Sequence, residues 1–318
     1  MKFILFCMSL LLITFLFSTG CTETPSRYDL IPDDALKMSP ETDIYPPIIH
    51  SSLWEQPIPI EGPINTAGAE DAPVISSDGS TFIFFFTPDV DVPPEKQVLD
   101  QVTGIWWCTK ENGIWTEPKR AILSDTLALD GSLSFQKNIL WFCSVRQGNY
   151  REIDIYTAKL HNEEWMDWEN AGYQLNVDYE VGELYTTFDG NSMIYHSNKE
   201  GGFGGVDMWY IEKINEDWTE PVNLGSQINT NLDEGWPYLS ADGTELWFNR
   251  WSELGYTGPA LYRSEKLENG SWSNPIEMVS NFAGDPAIDS KGNIYFTHHY
   301  YDENMNMIEA DIYVCYKK

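Results

Sequence analysis

Trp218-Thr219-Glu220-Pro221 opens a stretch that reaches Asn229 eleven residues after the tryptophan and Asp242-Gly243 twenty-four after it. The same register recurs from Trp54-Glu55-Gln56-Pro57, with Asn65 and Asp78-Gly79. It recurs again from Trp165-Met166-Asp167-Trp168, with Asn176 and Asp189-Gly190, where a tryptophan stands in the place of proline. Trp115-Thr116-Glu117-Pro118 and Trp272-Ser273-Asn274-Pro275 begin two copies that are shorter before the next apolar run, at Leu140 and Ile294. A period of about fifty residues marks a solenoid, a propeller or an array, and it outranks any shorter motif.

Between these landmarks the residues read as strands. Val74-Ile75-Ser76 leads through Asp78-Gly79 to the run Phe82 to Phe86, and Tyr238-Leu239-Ser240 leads through Asp242-Gly243 to Leu246-Trp247-Phe248. Aromatic and β-branched residues flanking Asp-Gly predict a hairpin. A third strand is expected at Ile105-Trp106-Trp107, Ile155-Tyr156, Met208-Trp209, Leu261-Tyr262 and Ile312-Tyr313, with the tryptophan segment as the fourth. Long helical periodicity is absent. Four antiparallel strands repeated radially predict an all-β chain folded as a β-propeller. The second-strand positions Phe82, Leu140, Met193, Leu246 and Ile294 count five blades. The last blade lacks a tryptophan segment of its own, and residues 54–60 form a fourth strand with no blade before it. The N-terminal strand is therefore expected to pair into the last blade and close the ring, which removes an exposed edge. An open array within a longer assembly is the alternative.

The passage Ser197-Asn198-Lys199-Glu200-Gly201-Gly202-Phe203-Gly204-Gly205-Val206-Asp207-Met208-Trp209 resembles the second-to-third-strand segment of PD40 repeats, the TolB-like relatives of WD40. Leu224-Gly225-Ser226-Gln227-Ile228-Asn229-Thr230, Asp233-Glu234 and Pro237 to Gly243 continue it. The resemblance runs from Trp54 to the C-terminus and is sharpest over 176–250. It implies an envelope protein that binds partners, and it carries no shared catalytic residues.

The ends are made of different material. Residues 3–17 are almost wholly apolar behind Lys2 and stop at Ser18-Thr19-Gly20-Cys21. This describes a secretory signal over 1–20, and Cys21 resembles the lipidated cysteine of a bacterial lipobox, with Ser18 where leucine is usual. An uncleaved anchor is the other reading; both put the folded part outside the cytoplasm. The expected location is the bacterial cell envelope, at the outer membrane for a Gram-negative host. Residues 21–52, with Pro25, Pro32, Pro40, Pro46 and Pro47, read as a semi-extended tether or as a stretch packed along the rim of the propeller over 53–318. The net charge of −30, from 19 basic and 49 acidic residues, opposes contact with nucleic acid. It also makes a lipid rather than a basic patch the membrane attachment. Cys108, Cys143 and Cys315 are expected as buried thiols, with one disulfide as the alternative. The chain is expected to be monomeric.

Blade topology localises a candidate site. The loop entering a first strand shares a face with the loop joining strands two and three, and the Asp-Gly turns lie opposite, where turn chemistry explains them. The entering loops carry Glu70, Asp71, Asp130, Glu180, Glu183, Asp233, Glu234 and Asp285, with Trp236 at a channel entrance. Arg146, Lys199, Arg250, Trp251, His298 and His299 belong to the same face. Such acids cap strands, bind a cation such as calcium through hard oxygen ligands, or serve as an acid and a base for glycoside chemistry. The last would need two carboxyl groups about 5–10 Å apart with one pKa raised. No cofactor other than calcium is suggested. Neighbours on a strand point to opposite faces, so His298-His299 makes a poor zinc site. The acidic face is expected to bind an envelope protein, a peptide or a glycan, with a carbohydrate-active enzyme as the alternative.

Overall fold

The five residues that mark second strands, Phe82, Leu140, Met193, Leu246 and Ile294, are all at 0 % exposure. The computed structural model describes residues 26–318 other than Glu216, and the signal over 1–20 with Cys21 lies outside the described residues. The chain is mostly β, and the described strands form four sheets, the largest of nine strands joined by a parallel pairing of Ala69 with Ala310; their antiparallel ladders group as the units that follow. Unit one is Ala69–Ile75, Thr81–Thr87, Gly104–Glu111 and a fourth strand in two pieces, Ile114–Trp115 and Lys119–Arg120. Unit two is Ala128–Gln136, Ile139–Arg146, Asp154–His161 and Glu164–Asn170. Unit three is Leu184–Thr186, Ser192–Ser197, Asp207–Ile214 and the pieces Asp217–Trp218 and Val222–Asn223. Unit four is Gly235–Leu239, Glu245–Trp251, Pro259–Glu265 and Ile276–Ser280. Unit five is Ala283–Ile288, Ile294–Tyr301 and Met307–Cys315, with Ile58–Pro59 from the N-terminal side as its outer strand.

The Trp-x-x-Pro segment explains the broken fourth strands. Proline has no N–H to give to a ladder, so the strand stops at Pro118 and again at Pro221. Unit two has Trp168 in that place and keeps one continuous strand, Glu164–Asn170. Each repeat tryptophan pairs with the end of the third strand: Lys110 with Trp115, Leu160 with Trp165, Lys213 with Trp218, Lys266 with Trp272, and Lys317 with Trp54. The repeated asparagine latches the third strand of the unit before it. Asn229 Oδ1 accepts from Met208 N–H at 2.8 Å while its Nδ2 donates to Met208 O at 3.0 Å. Asn176 accepts from Ile155 N–H, and Asn65 makes both bonds to Ile312, 247 residues away.

Five apolar clusters lie between consecutive units. Trp107, Leu140 and Trp165 join units one and two; Ile155, Tyr195 and Trp209 join two and three; Ile194, Phe248 and Tyr262 join three and four. Trp247, Leu261 and Phe296 join units four and five with Trp54 beside them. Phe82, Phe84 and Trp115 of unit one pack against Tyr295 and Ile312 of unit five. Cys108, Cys143 and Cys315 are free thiols.

Residues 26–52 run along the domain. Arg27 is buried at 1 % exposure, Lys37 pairs with Glu309 and Asp311, and Asp43 bonds His298 at 2.8 Å. Ile48–Ile49 adds an outer strand to unit four. The physical reason is that this segment's few charges meet buried opposite charges on the units. A short helix, Pro94–Asp100, was not expected; it buries no residue, so its sequence shows no apolar period.

Candidate functional site

A disturbance in the middle of each first strand builds the site. The ladder register shifts between Asp71 and Val74, Gly131 and Leu133, Gly235 and Tyr238, and Gly284 and Ala287. At these bulges Ala72, Ser132, Trp236 and Asp285 have φ of 49°, 42°, 51° and 53°, the left-handed region that side chains seldom enter. In unit three Gly182 and Glu183 hold the corresponding place against His196. A bulge re-aims a side chain, and here the five residues Ala72, Ser132, Glu183, Trp236 and Asp285 form a waist, one per unit. They are the residues shared by two cavities that meet there. The cavity on the side of the entering loops measures about 660 Å³ and takes in Asp71, Cys143, Glu180 and His196. The cavity toward the Asp-Gly turns is about 80 Å³, lined by Pro73, Leu133, Tyr185, Pro237, Tyr238 and Pro286.

Three carboxyls meet at or beside the waist. Burial works against the charge on Asp71, but His299, whose Nε2 lies 3.7 Å away, and the Ala72 N–H, which donates to it, hold it down to about 2. His299 rises in turn, the carboxylate outweighing burial. Glu183 is pushed up to about 8 by burial and then by the charge of Asp71. Asp285 rises well above the usual carboxylate range through burial, with the charges of Asp71 and Glu183 adding to it. Asp71 is thus ionised at neutral pH while Glu183 holds a proton. His196 packs edge-on against the Trp236 ring at 5.5 Å and burial lowers it to about 4.

The other sequence-predicted residues do structural work. Glu70 accepts from the N–H and Oγ1 of Thr66 and pairs with Arg27 at 3.2 Å. Glu234 accepts from the N–H and Oγ1 of Thr230 and lies 3.9 Å from Arg250. Asp130 accepts from Ser144 Oγ and from Arg146 at 2.6 Å. Asp233 is exposed and accepts from Val206 N–H, and Glu180 lines the larger cavity while its carbonyl accepts from Ser197 Oγ. Lys199 donates to Asp178 O, and Trp251 is exposed at 55 %. His298 and His299 point to opposite faces, toward Asp43 and Asp71. The Asp-Gly aspartates cap their own turns through Ser76 and Ser80, Thr187 and Asn191, and Ser240 and Thr244. Among the described residues no group of three or more His, Cys, Asp or Glu is arranged to hold a metal ion. Sequence reasoning missed His196 and Arg27. A signal for the waist exists: Pro73, Pro237 and Pro286 each follow a waist residue directly.

No protein-family model matches the chain, and no curated protein matches it. Among solved structures it is similar to TolB from Acinetobacter baumannii, at 13 % identity and a TM-score of 0.47 over 80 % of this chain and 55 % of that one. The chain thus spans about half the length of that protein. It is also similar to a putative TolB from Agrobacterium tumefaciens, at 11 % identity and a TM-score of 0.43, covering 80 % and 92 % of the two chains. The β-propeller domain of the Trilobed protease from Pyrococcus furiosus is a third, at 9 % identity and a TM-score of 0.35, with 78 % and 68 % covered.

Proposed function

We propose that the chain is an exported, lipid-anchored binding module: a closed five-bladed β-propeller, held to the cell envelope through Cys21, that engages an envelope protein, peptide or glycan on its entering-loop face. The five units, the clusters between them and the pairing of Ile58–Pro59 with Met307–Cys315 support the closed ring. The PD40 resemblance supports the envelope setting. The observation that carries the binding reading is the waist. Positions that repeat are used in capping and latching, whereas Ala72, Ser132, Glu183, Trp236 and Asp285 differ in every unit and face a cavity of about 660 Å³. A cavity of that size is in the range of ligand sites. Capture from envelope extracts should recover a partner with the wild-type chain, and Trp236→Ala should weaken recovery at unchanged thermal stability. Equal recovery by both would remove this face from consideration. A second reading, glycoside hydrolysis, has one observation in its favour: Asp71 is held down to about 2 while burial pushes Glu183 up to about 8, the asymmetry an acid and base pair needs. It expects glycan turnover that Glu183→Gln abolishes, and inactivity across a broad glycan panel rejects it.

A further inference from the structure

We propose that the channel waist is a receptor for an alkylammonium group, held by the carboxyls of Glu183 and Asp285 beside the ring of Trp236. This rests on the binding reading above and names its ligand class. Elsewhere the buried acids have partners: Arg27 meets Glu70, Arg146 Asp130, Arg250 Glu234, and Lys37 Glu309 and Asp311, while Asp154, Asp207 and Glu277 accept from backbone N–H, amide and hydroxyl donors. Asp71 has His299. Glu183 and Asp285 have no such partner among the described residues, and Glu183 Oε2 is shut off from solvent with no hydrogen-bond partner at all. His196 Nδ1, on the same cavity, is likewise unpartnered. The one arginine on the cavity walls, Arg151, donates to Asn176 O. Two part-buried carboxyls without a cation, beside an exposed aromatic face, are complementary to an ammonium on an alkyl stem. The narrow apolar cavity beyond the waist suits the stem.

The groups facing the waist are Asp71 and Tyr301, His299, His196 with Asp233 behind it, and Cys143. Glu183, pushed up to about 8, holds its proton when unliganded, and burial shifts Asp285 in the same direction. An arriving ammonium keeps its own three protons, Glu183 or Asp285 gives its proton to buffer, and an ion pair replaces the O–H. Binding is therefore accompanied by proton release.

The test is calorimetry on the full chain at neutral pH, in two buffers of different ionisation heat, with 1,5-diaminopentane for a free diamine and N-acetyl-lysine amide for a lysine presented by a partner. Binding with proton release is expected for at least one, and a preference of about tenfold assigns the source. N-acetylated aminopentane, which carries no charge, should not bind. Glu183→Gln and Asp285→Asn should each weaken binding by about tenfold or more, and the two together should abolish the proton release. Absence of binding by both amines, equal binding of the uncharged analogue, or amide variants that bind like wild type would overturn the proposal. The analogue comparison decides on wild-type protein even where a variant does not fold. Partner capture that needs Trp236 without amine binding overturns the ligand class alone. Amine binding without any captured partner overturns the scaffold reading alone.

Discussion

Arg27, Arg146 and Arg250 occupy the same kind of socket in three units. Each guanidinium lies over a ring of the second strand and one of the third, at 5.4 and 5.8 Å from Phe84 and Trp106, 5.5 and 4.2 Å from Phe142 and Tyr156, and 5.9 and 4.4 Å from Phe248 and Tyr262, and Arg27 also lies over Tyr28 and Phe86. Units two and four take their arginine from the second strand. Unit one has Phe86 opposite Glu70 in the ladder, and Arg27 arrives from outside the unit. Arg27→Ala leaves Glu70 buried without its cation and the carbonyls of Pro63 and Ile64 without a donor. The expected cost is about 3 kcal/mol, read as a lower urea midpoint, with faster hydrogen exchange over Gly104–Glu111. A midpoint within error of wild type would mean the socket is dispensable. Nothing in residues 22–52 announces this role. A lone arginine among prolines reads as solvated because its partners are 36 to 90 positions away.

At the scale of the strand, the spacing of tryptophan, asparagine and Asp-Gly was legible because each is fixed by local geometry or by the neighbouring unit. Gly79, Gly190 and Gly243 have φ of 71°, 75° and 71°, the left-handed position a tight turn assigns to glycine. A second regularity went unread. Lys110, Lys213, Lys266 and Lys317 each place an ammonium over the repeat tryptophan, at 4.6, 4.9, 5.8 and 5.4 Å. The last pair joins Lys317 to Trp54, so this lysine marks the end of a third strand even where the tryptophan is far away in sequence. The acids of the entering loops were legible as a group and not as individuals. Glu70 and Glu234 turn inward because a threonine four residues earlier offers an N–H and a hydroxyl, whereas Glu183 and Asp285 lack such a partner.

At the scale of the molecule, the buried acids set how stability answers to pH. Glu183 moves from 4.5 up to about 8, so the folded chain holds a proton there that the unfolded chain has lost. Its contribution is full below pH 4.5 and is lost as pH rises through about 8. Asp285 and His299, also raised, act in the same sense. His196, lowered from 6.5 to about 4, acts oppositely but only below 6.5. The melting temperature should therefore fall between pH 6.5 and about 8.5. The net charge of −30 pushes the same way, and the double variant Glu183→Gln, Asp285→Asn separates the two causes by flattening the slope. A slope unchanged in that variant would assign it to surface charge. The waist was legible in part: Glu183, Trp236 and Asp285 stand among the entering-loop candidates, whereas Ala72 and Ser132 carry no side-chain signal and only the proline after Ala72 repeats. The pairing of Trp54 and Ile58–Pro59 with residues 313–317 has a consequence for the order of folding. Units one to four bring their own fourth strands and can form as the chain emerges, but unit five must wait for a strand made some 250 residues earlier. Such a long-range pairing is slow to form, so residues 54–60 stay unpaired until the last strand arrives, and that interval is when the nascent chain most needs protection from aggregation.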